Sequence, residues 1–248
     1  MKSTIFFGFA QAILFCLFSN TMQARVWRVN NNSGTSADYT GFDACWQNAA
    51  FMAGDTIYLE GSAIAYSNST IINKRMVVIG AGYLLQGSTG NAGLQAGNLG
   101  TTFSGSLRWD SLATGSRFMG LSITSAIWFD PQADSIVFER CQFGSWSWST
   151  TGTIHNRIRG VKINKCMFSS TSIPSTHYYE DLEVTNCIIT SSFTLQAANI
   201  LSALVRNNLF LSSITISNTY FTNNISIGIT VASFLANNSI VRHNISQI

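Results

Sequence analysis

Ile136-Val-Phe-Glu-Arg-Cys-Gln-Phe143, Val161-Lys-Ile-Asn-Lys-Cys-Met-Phe168 and Leu182-Glu-Val-Thr-Asn-Cys-Ile-Ile189 are one pattern written three times. Three more copies follow with Asn in place of Cys: Ala203-Leu-Val-Arg-Asn-Asn-Leu-Phe210, Thr219-Tyr-Phe-Thr-Asn-Asn-Ile-Ser226 and Ser239-Ile-Val-Arg-His-Asn-Ile-Ser246. The shared slot falls at 141, 166, 187, 208, 224 and 244, in steps of 25, 21, 21, 16 and 20. Gly115-Ser-Arg-Phe-Met-Gly-Leu-Ser-Ile123 fits one step earlier, with Leu121 in the slot. Three places before the slot stand Phe138, Ile163, Val184, Val205, Phe221 and Val241, flanked by polar or mixed positions. This alternation marks a strand with one buried face.

A short strand, a turn and a second short stretch recurring about every twenty residues describe one coil of a right-handed parallel β-helix, whose coils bury their faces only by stacking. Like residues then lie over one another ~4.8 Å apart. Asn208, Asn224 and Asn244 read as a structural ladder of hydrogen-bonded amides, and Cys141, Cys166 and Cys187 continue the column as small buried thiols. A β-sandwich or β-propeller requires hairpin turns, and the chain has no Asn-Gly or Asp-Gly pair. The Leu-rich consensus of leucine-rich repeats is missing too.

Composition agrees with an all-β solenoid. Only 10% of the 248 residues are charged, against ~25% in ordinary soluble chains, and Pro occurs twice. Residues 1–24 read as a secretory signal: Lys2, an apolar run from Ile5 to Phe18, then a polar exit ending at Ala24. Beyond it no apolar stretch reaches the roughly 18 residues of a membrane span. The expected location is therefore secreted, extracellular or at the cell surface. A net charge of +3, scattered along the chain, gives no case for nucleic acid. Residues 25–61 are expected to form an N-terminal cap and first strand, and 62–248 the coils. In the cap, Phe42, Cys45 or Trp46, Ala49 and Ala53 at helical spacing predict a capping helix that starts at Thr40 and ends at Gly54. The last coil has no evident cap, so either a truncated gene product or end-to-end self-association is expected there.

Three stretches carry a family likeness: Ala44-Cys-Trp-Gln-Asn-Ala-Ala-Phe-Met-Ala-Gly-Asp-Thr-Ile-Tyr-Leu59, Asn73-Lys-Arg-Met-Val-Val-Ile-Gly-Ala-Gly-Tyr83, and the Cys/Asn coils. The chain resembles exported bacterial right-handed β-helix proteins of the pectate-lyase-like superfamily. The resemblance implies a fold but not an activity, because that superfamily mixes lyases and hydrolases with adhesins. Its lyases are expected to hold Ca²⁺ with clustered carboxylates and to abstract a proton with Arg or Lys. Here Glu139 and Glu183 lie two coils apart, ~10 Å, with Lys162 between them, which reads as a solvated charge stack. The hydrolase motifs Asn-Thr-Asp, Gly-His-Gly and Arg-Ile-Lys are absent, Arg157-Ile158-Arg159 being a distant echo. Asp130 with Asp134, or Glu180 with Asp181, form carboxylate pairs by proximity alone. His155, His177 and His243 have no metal-ligand spacing.

No cofactor is evident; Ca²⁺ belongs only to the lyase alternative. Trp146 and Trp148 alternate in an extended run, and with Trp128 one coil earlier they are the candidate aromatic platform for sugar rings, the competing reading being core filling. Two readings of function follow: a binding or structural protein recognising polysaccharide, favoured because carboxylate clusters are missing, or a polysaccharide lyase.

Overall fold

The computed structural model describes residues 24–83, 99–148, 156–171, 177–195, 202–216, 219–227, 231–234, 240–242 and 245–247. The leader expected over 1–24 lies, except for Ala24, outside them. The chain winds as a parallel β-solenoid. Ten strands stack in one sheet, from Val26–Val29 and Thr56–Leu59 through Val77–Gly80 to Ile240–Arg242. Every pairing is parallel and every neighbour is one coil away. The register stacks Trp27, Ile57, Val78 and Phe118 in one column. Phe138, Ile163, Val184, Val205, Phe221 and Val241 continue it.

A second parallel sheet runs from Tyr66–Ser67 to Ile245–Gln247 and stacks Tyr66, Phe103, Ile123, Phe143, Phe168, Ile189 and Phe210. A three-stranded sheet of Phe193–Leu195, Ile214–Ile216 and Val231–Phe234 closes the later coils. Apart from Val241, whose side chain lies outside the described residues, these inward columns form one continuous core. Rings lie face to face where rungs repeat them: Phe143 on Phe168 at 5.1 Å and 8°, Phe118 on Phe138 at 5.4 Å and 19°. Each buried Phe or Ile contributes about 1.5–3 kcal/mol, and each ring pair about 0.5–1.5 kcal/mol more.

The corner between the sheets explains the repeated slot. The residue before each described slot has a left-handed backbone: Gly120, Arg140, Lys165, Asn186, Asn207 and Asn223, with φ between 52° and 66°. Gly and Asn adopt this region at least cost. Asn186 and Asn207 form an outer ladder of their own, Asn186 Nδ2 reaching Asn164 Oδ1 at 2.8 Å and Asn207 Nδ2 reaching Asn186 Oδ1 at 3.3 Å. The slot residue then turns inward. Cys187 N–H donates to Asn208 Oδ1 at 2.8 Å, and Asn208 N–H to Asn224 Oδ1 at 2.9 Å. Asn208 Nδ2 donates to Val184 O and Asn224 Nδ2 to Val205 O. Where the slot is Cys the acceptor is sulfur: Cys141 N–H and Cys166 N–H reach the next thiol at 3.4 Å. Cys45, Cys141, Cys166 and Cys187 are all free and buried. Asn244 lies outside the described residues.

Glycine is required where two turns touch. A Cβ on Gly80 would stand 2.5 Å from Gly120 O and 2.6 Å from Leu121 Cδ2.

The N-terminal helix is shorter than its apolar spacing predicts. It spans only Phe42–Trp46, begins at Gly41 with no side-chain cap, and ends at Gln47. Thr40 is therefore not its cap and Gly54 not its end. Asn48 stops it: its side-chain oxygen takes Ala50 N–H at 2.8 Å, bending the backbone into a turn. Lys74 Nζ then donates to the carbonyls of Trp46, Asn48 and Phe51 at 3.1–3.4 Å, groups a longer helix would have satisfied itself. The helix packs on the first two strands of the first sheet and on Tyr66–Ser67, the terminal strand of the second. Val26–Val29 forms the first rung.

Asp55 ties this end together. Its carboxylate accepts Arg25 N–H at 2.9 Å, Trp27 Nε1 at 2.8 Å and Met52 N–H at 3.0 Å. Burial pushes its pKa up, but these hydrogen bonds outweigh burial and hold it below the ordinary carboxylate value.

Candidate functional site

The strand Gln142–Trp148 pairs on both sides of Gly144, but its register slips there. Phe143 faces Ile123, whereas Ser145 faces Ala126, so Thr124 and Ser125 together oppose the single Gly144. This β-bulge bends the second sheet. Gly144 has no side chain to fill the outer surface, and a dent of about 350 Å³ opens above it. Thr124, Ser169 and Thr190 stand along one column of the dent, and Ser122, Gln142 and Met167 along the other. Register places Ser122, Gln142 and Met167 on successive rungs. Ser169 Oγ donates to Gly144 O, fixing the bend to the following coil. The side chains lining the dent carry hydroxyl, amide, thioether and hydrocarbon groups. They can hydrogen-bond and pack, but none transfers a proton near neutral pH.

The bulge also corrects the aromatic platform. A regular twenty-residue step from Ile123 to Phe143 would set Trp128 beneath Trp148. The slip pairs Trp128 with Ser147 and Trp146 with Ile127 instead. Trp146 is fully buried, 6.0 Å from Phe168 ring to ring, whereas Trp128 is half-buried. A one-residue shift exchanges the two faces of a strand, so Trp128 and Trp146 do not share a surface. The Trp148 backbone pairs with Phe129, and its side chain lies outside the described residues.

All eleven carboxylates of the chain lie among the described residues, and ten are bound to partners. Asp38 takes Arg28 N–H, Asp43 takes Ser69, and Asp110 caps a 3-10 turn through Leu112 N–H. Glu60 binds Arg28 and Asn30. Asp130 binds Arg108 Nε at 2.7 Å, while Asp134 takes Arg159 N–H at 2.7 Å, so that pair is divided between partners. Glu180 binds Arg157 and Arg159, while Asp181 takes the Ser202 hydroxyl. Glu183 pairs with Lys162 at 2.9 Å across one rung, which is half of the charge stack expected from the sequence; Glu139 stands in the other outward column, paired in register with Asn164. With Asp55 already placed, Glu139 alone has no side-chain partner among the described residues. No group of three or more His, Cys, Asp or Glu suited to a metal ion occurs among the described residues.

Burial raises the Cys166 thiol well above its ordinary pKa and pushes Cys45 up to about 12, which favours the protonated form of both. Tyr179 is buried between coils, and His155, His243 and the His177 side chain lie outside the described residues. No described helix is long and apolar enough to cross a membrane.

No protein-family model matches the chain, and neither does any curated protein. Among solved structures, the pectin methylesterase from Aspergillus niger aligns over 90% of this chain and 85% of its own, at 8% sequence identity and a TM-score of 0.35. A likeness at that level adds nothing to the strand register, which by itself defines the solenoid.

Proposed function

We propose that this chain is a non-catalytic β-solenoid of the cell exterior that binds polysaccharide at the dent of its second sheet. One observation carries the reading: the dent is lined by hydroxyl, amide and thioether groups and by no carboxylate, while ten of the eleven Asp and Glu side chains are bound to partners elsewhere. Binding a glycan needs hydrogen-bonding groups and apolar surface. Cleaving one needs an acid or base poised at the bond, or a cation held by several oxygens. The dent supplies the first set. Rungs at ~4.8 Å spacing present these groups on a rigid backbone, which limits the entropy lost on binding.

The test is direct. The purified chain is expected to be retarded in native gels containing polysaccharide. With polygalacturonate and Ca²⁺ it should give no rise in absorbance from unsaturated product. Clear turnover in that assay overturns the proposal.

A further inference from the structure

The two main sheets differ in charge. Strands of the first sheet carry Arg117, Glu139, Lys162, Glu183 and Arg206. On the stacked path of the second sheet, from Tyr66–Ser67 to Ile245–Gln247, no strand contains Asp, Glu, Lys, Arg or His. In a chain of 25 charged residues, 14 Lys and Arg and 11 Asp and Glu, the nine stacked strands of this path are uncharged; the sheet's one charged strand residue is Arg108, on Leu107–Trp109 beside Ser122–Phe129, and its guanidinium is held by Asp130. Its outer surface is also graded. Around the dent the outward groups are polar, with Ser122, Thr124, Gln142 and Ser169. Further along, Ile188, Leu211 and Ile225 are 40%, 43% and 47% exposed. Five rung steps separate Ser122 from Ile225, about 24 Å.

From this we infer that the ligand is a neutral, linear glycan lying along the solenoid axis, an inference that rests on the polysaccharide reading above. A sugar without carboxylate or sulfate offers hydroxyl edges and apolar C–H faces and no charge. The graded face matches both surfaces and leaves no ion desolvated, whereas an acidic glycan would have to bury its charges against uncharged groups. Cations flank these rungs at Arg140 and Lys165, on the left-handed corner two residues before Gln142 and Met167, both exposed. They are the only route by which an anionic chain on these rungs would gain ion pairs among the described corner residues, and they can be removed gently: the same corner holds Asn on the next three rungs.

Isothermal titration with β-1,4-linked glucohexaose, mannohexaose and hexagalacturonate, at low and high salt, tests the inference. At least one neutral hexaose should bind with an affinity that salt leaves within about twofold, since no charge is screened. Gln142→Ala should weaken it about tenfold, and the double variant Arg140→Asn/Lys165→Asn should leave it within about twofold. Folding of each variant is verified by its circular dichroism and melting curve. If only hexagalacturonate binds, with affinity that falls with salt and in the double variant, the neutral ligand is refuted while the non-catalytic polysaccharide reading stands. If no glycan binds, both fall.

Discussion

Asn208→Ala is the sharpest probe of the ladder. The side chain is 2% exposed and makes three hydrogen bonds: its Oδ1 accepts Cys187 N–H, and its Nδ2 donates to Val184 O and to Asn224 Oδ1. Asn224 Oδ1 keeps a donor in the variant, because Asn208 N–H still reaches it. The Cys187 amide does not, and the Val184 carbonyl keeps only the Arg206 N–H that the strand pairing brings to it. A buried amide left without its partner costs about 1–3 kcal/mol and a second hydrogen bond lost about 1 kcal/mol, so the loss is about 2–4 kcal/mol. Asn208→Cys should cost less, about 1–2 kcal/mol, since a thiol serves the same amide at 3.4 Å on the rungs before it. Asn207→Ala, on the exposed corner, should cost only about 1 kcal/mol, from the left-handed backbone.

Urea denaturation ranks the three variants. Stacked repeats do not always unfold in one step, so amide hydrogen exchange at Cys187 supplies the local measurement: its protection should drop in Asn208→Ala and stay in Asn207→Ala. An Asn208→Ala variant within 1 kcal/mol of the parent, with Cys187 still protected, would mean that the amide column does not support the fold.

Three further outcomes follow from other contacts. Asp55 has a lowered pKa in the folded chain, so its contribution is present above the ordinary carboxylate range near pH ~4 and fades as pH falls through the folded-state value; Asp55→Asn should lower the melting temperature at neutral pH and flatten this acid limb in melts taken across pH. Gly80→Ala should cost about 2–4 kcal/mol because its Cβ meets the backbone of Gly120, visible as a lower thermal midpoint, whereas Gly105→Ala, with open space around it, should cost only its backbone strain. Lys74→Met strips a donor from three carbonyls at the helix end and should cost about 1–3 kcal/mol, with faster proteolysis of the 42–54 segment as the check.

The coils were legible because their slot is chemically narrow. A buried position that must accept an amide hydrogen at a tight corner admits Cys or Asn, and both stand out against Val and Phe. The inward columns at Phe138, Ile163, Val184 and Val205 followed at once. Earlier rungs were harder to read, since Leu121 fills the slot without a hydrogen-bonding signature and the step from Val78 to Phe118 is 40 residues. The dent was illegible for a different reason. A bulge is a difference in length between two neighbouring strands, and no single stretch of sequence displays it. Thr124-Ser125 opposite Gly144 becomes visible only when both coils are laid in register. That one residue also misplaced Trp128. The left-handed corner before the slot was readable in principle from Gly120, Asn186, Asn207 and Asn223, but Arg140 and Lys165 disguise it.

The backbone amides of the corner residues and of the slots all point one way. Arg140, Lys165, Asn186, Asn207 and Asn223 donate their amides to carbonyls of the next coil, and the slot amides of Cys141, Cys166, Cys187 and Asn208 donate to the next slot side chain. These amides of a turn are therefore completed by its successor, while the slot side chains and the amides after the slot reach back to its predecessor. During synthesis, each newly wound turn waits with these donors open until about twenty more residues have emerged. Damage to one turn should accordingly expose the corner amides of the turn before it.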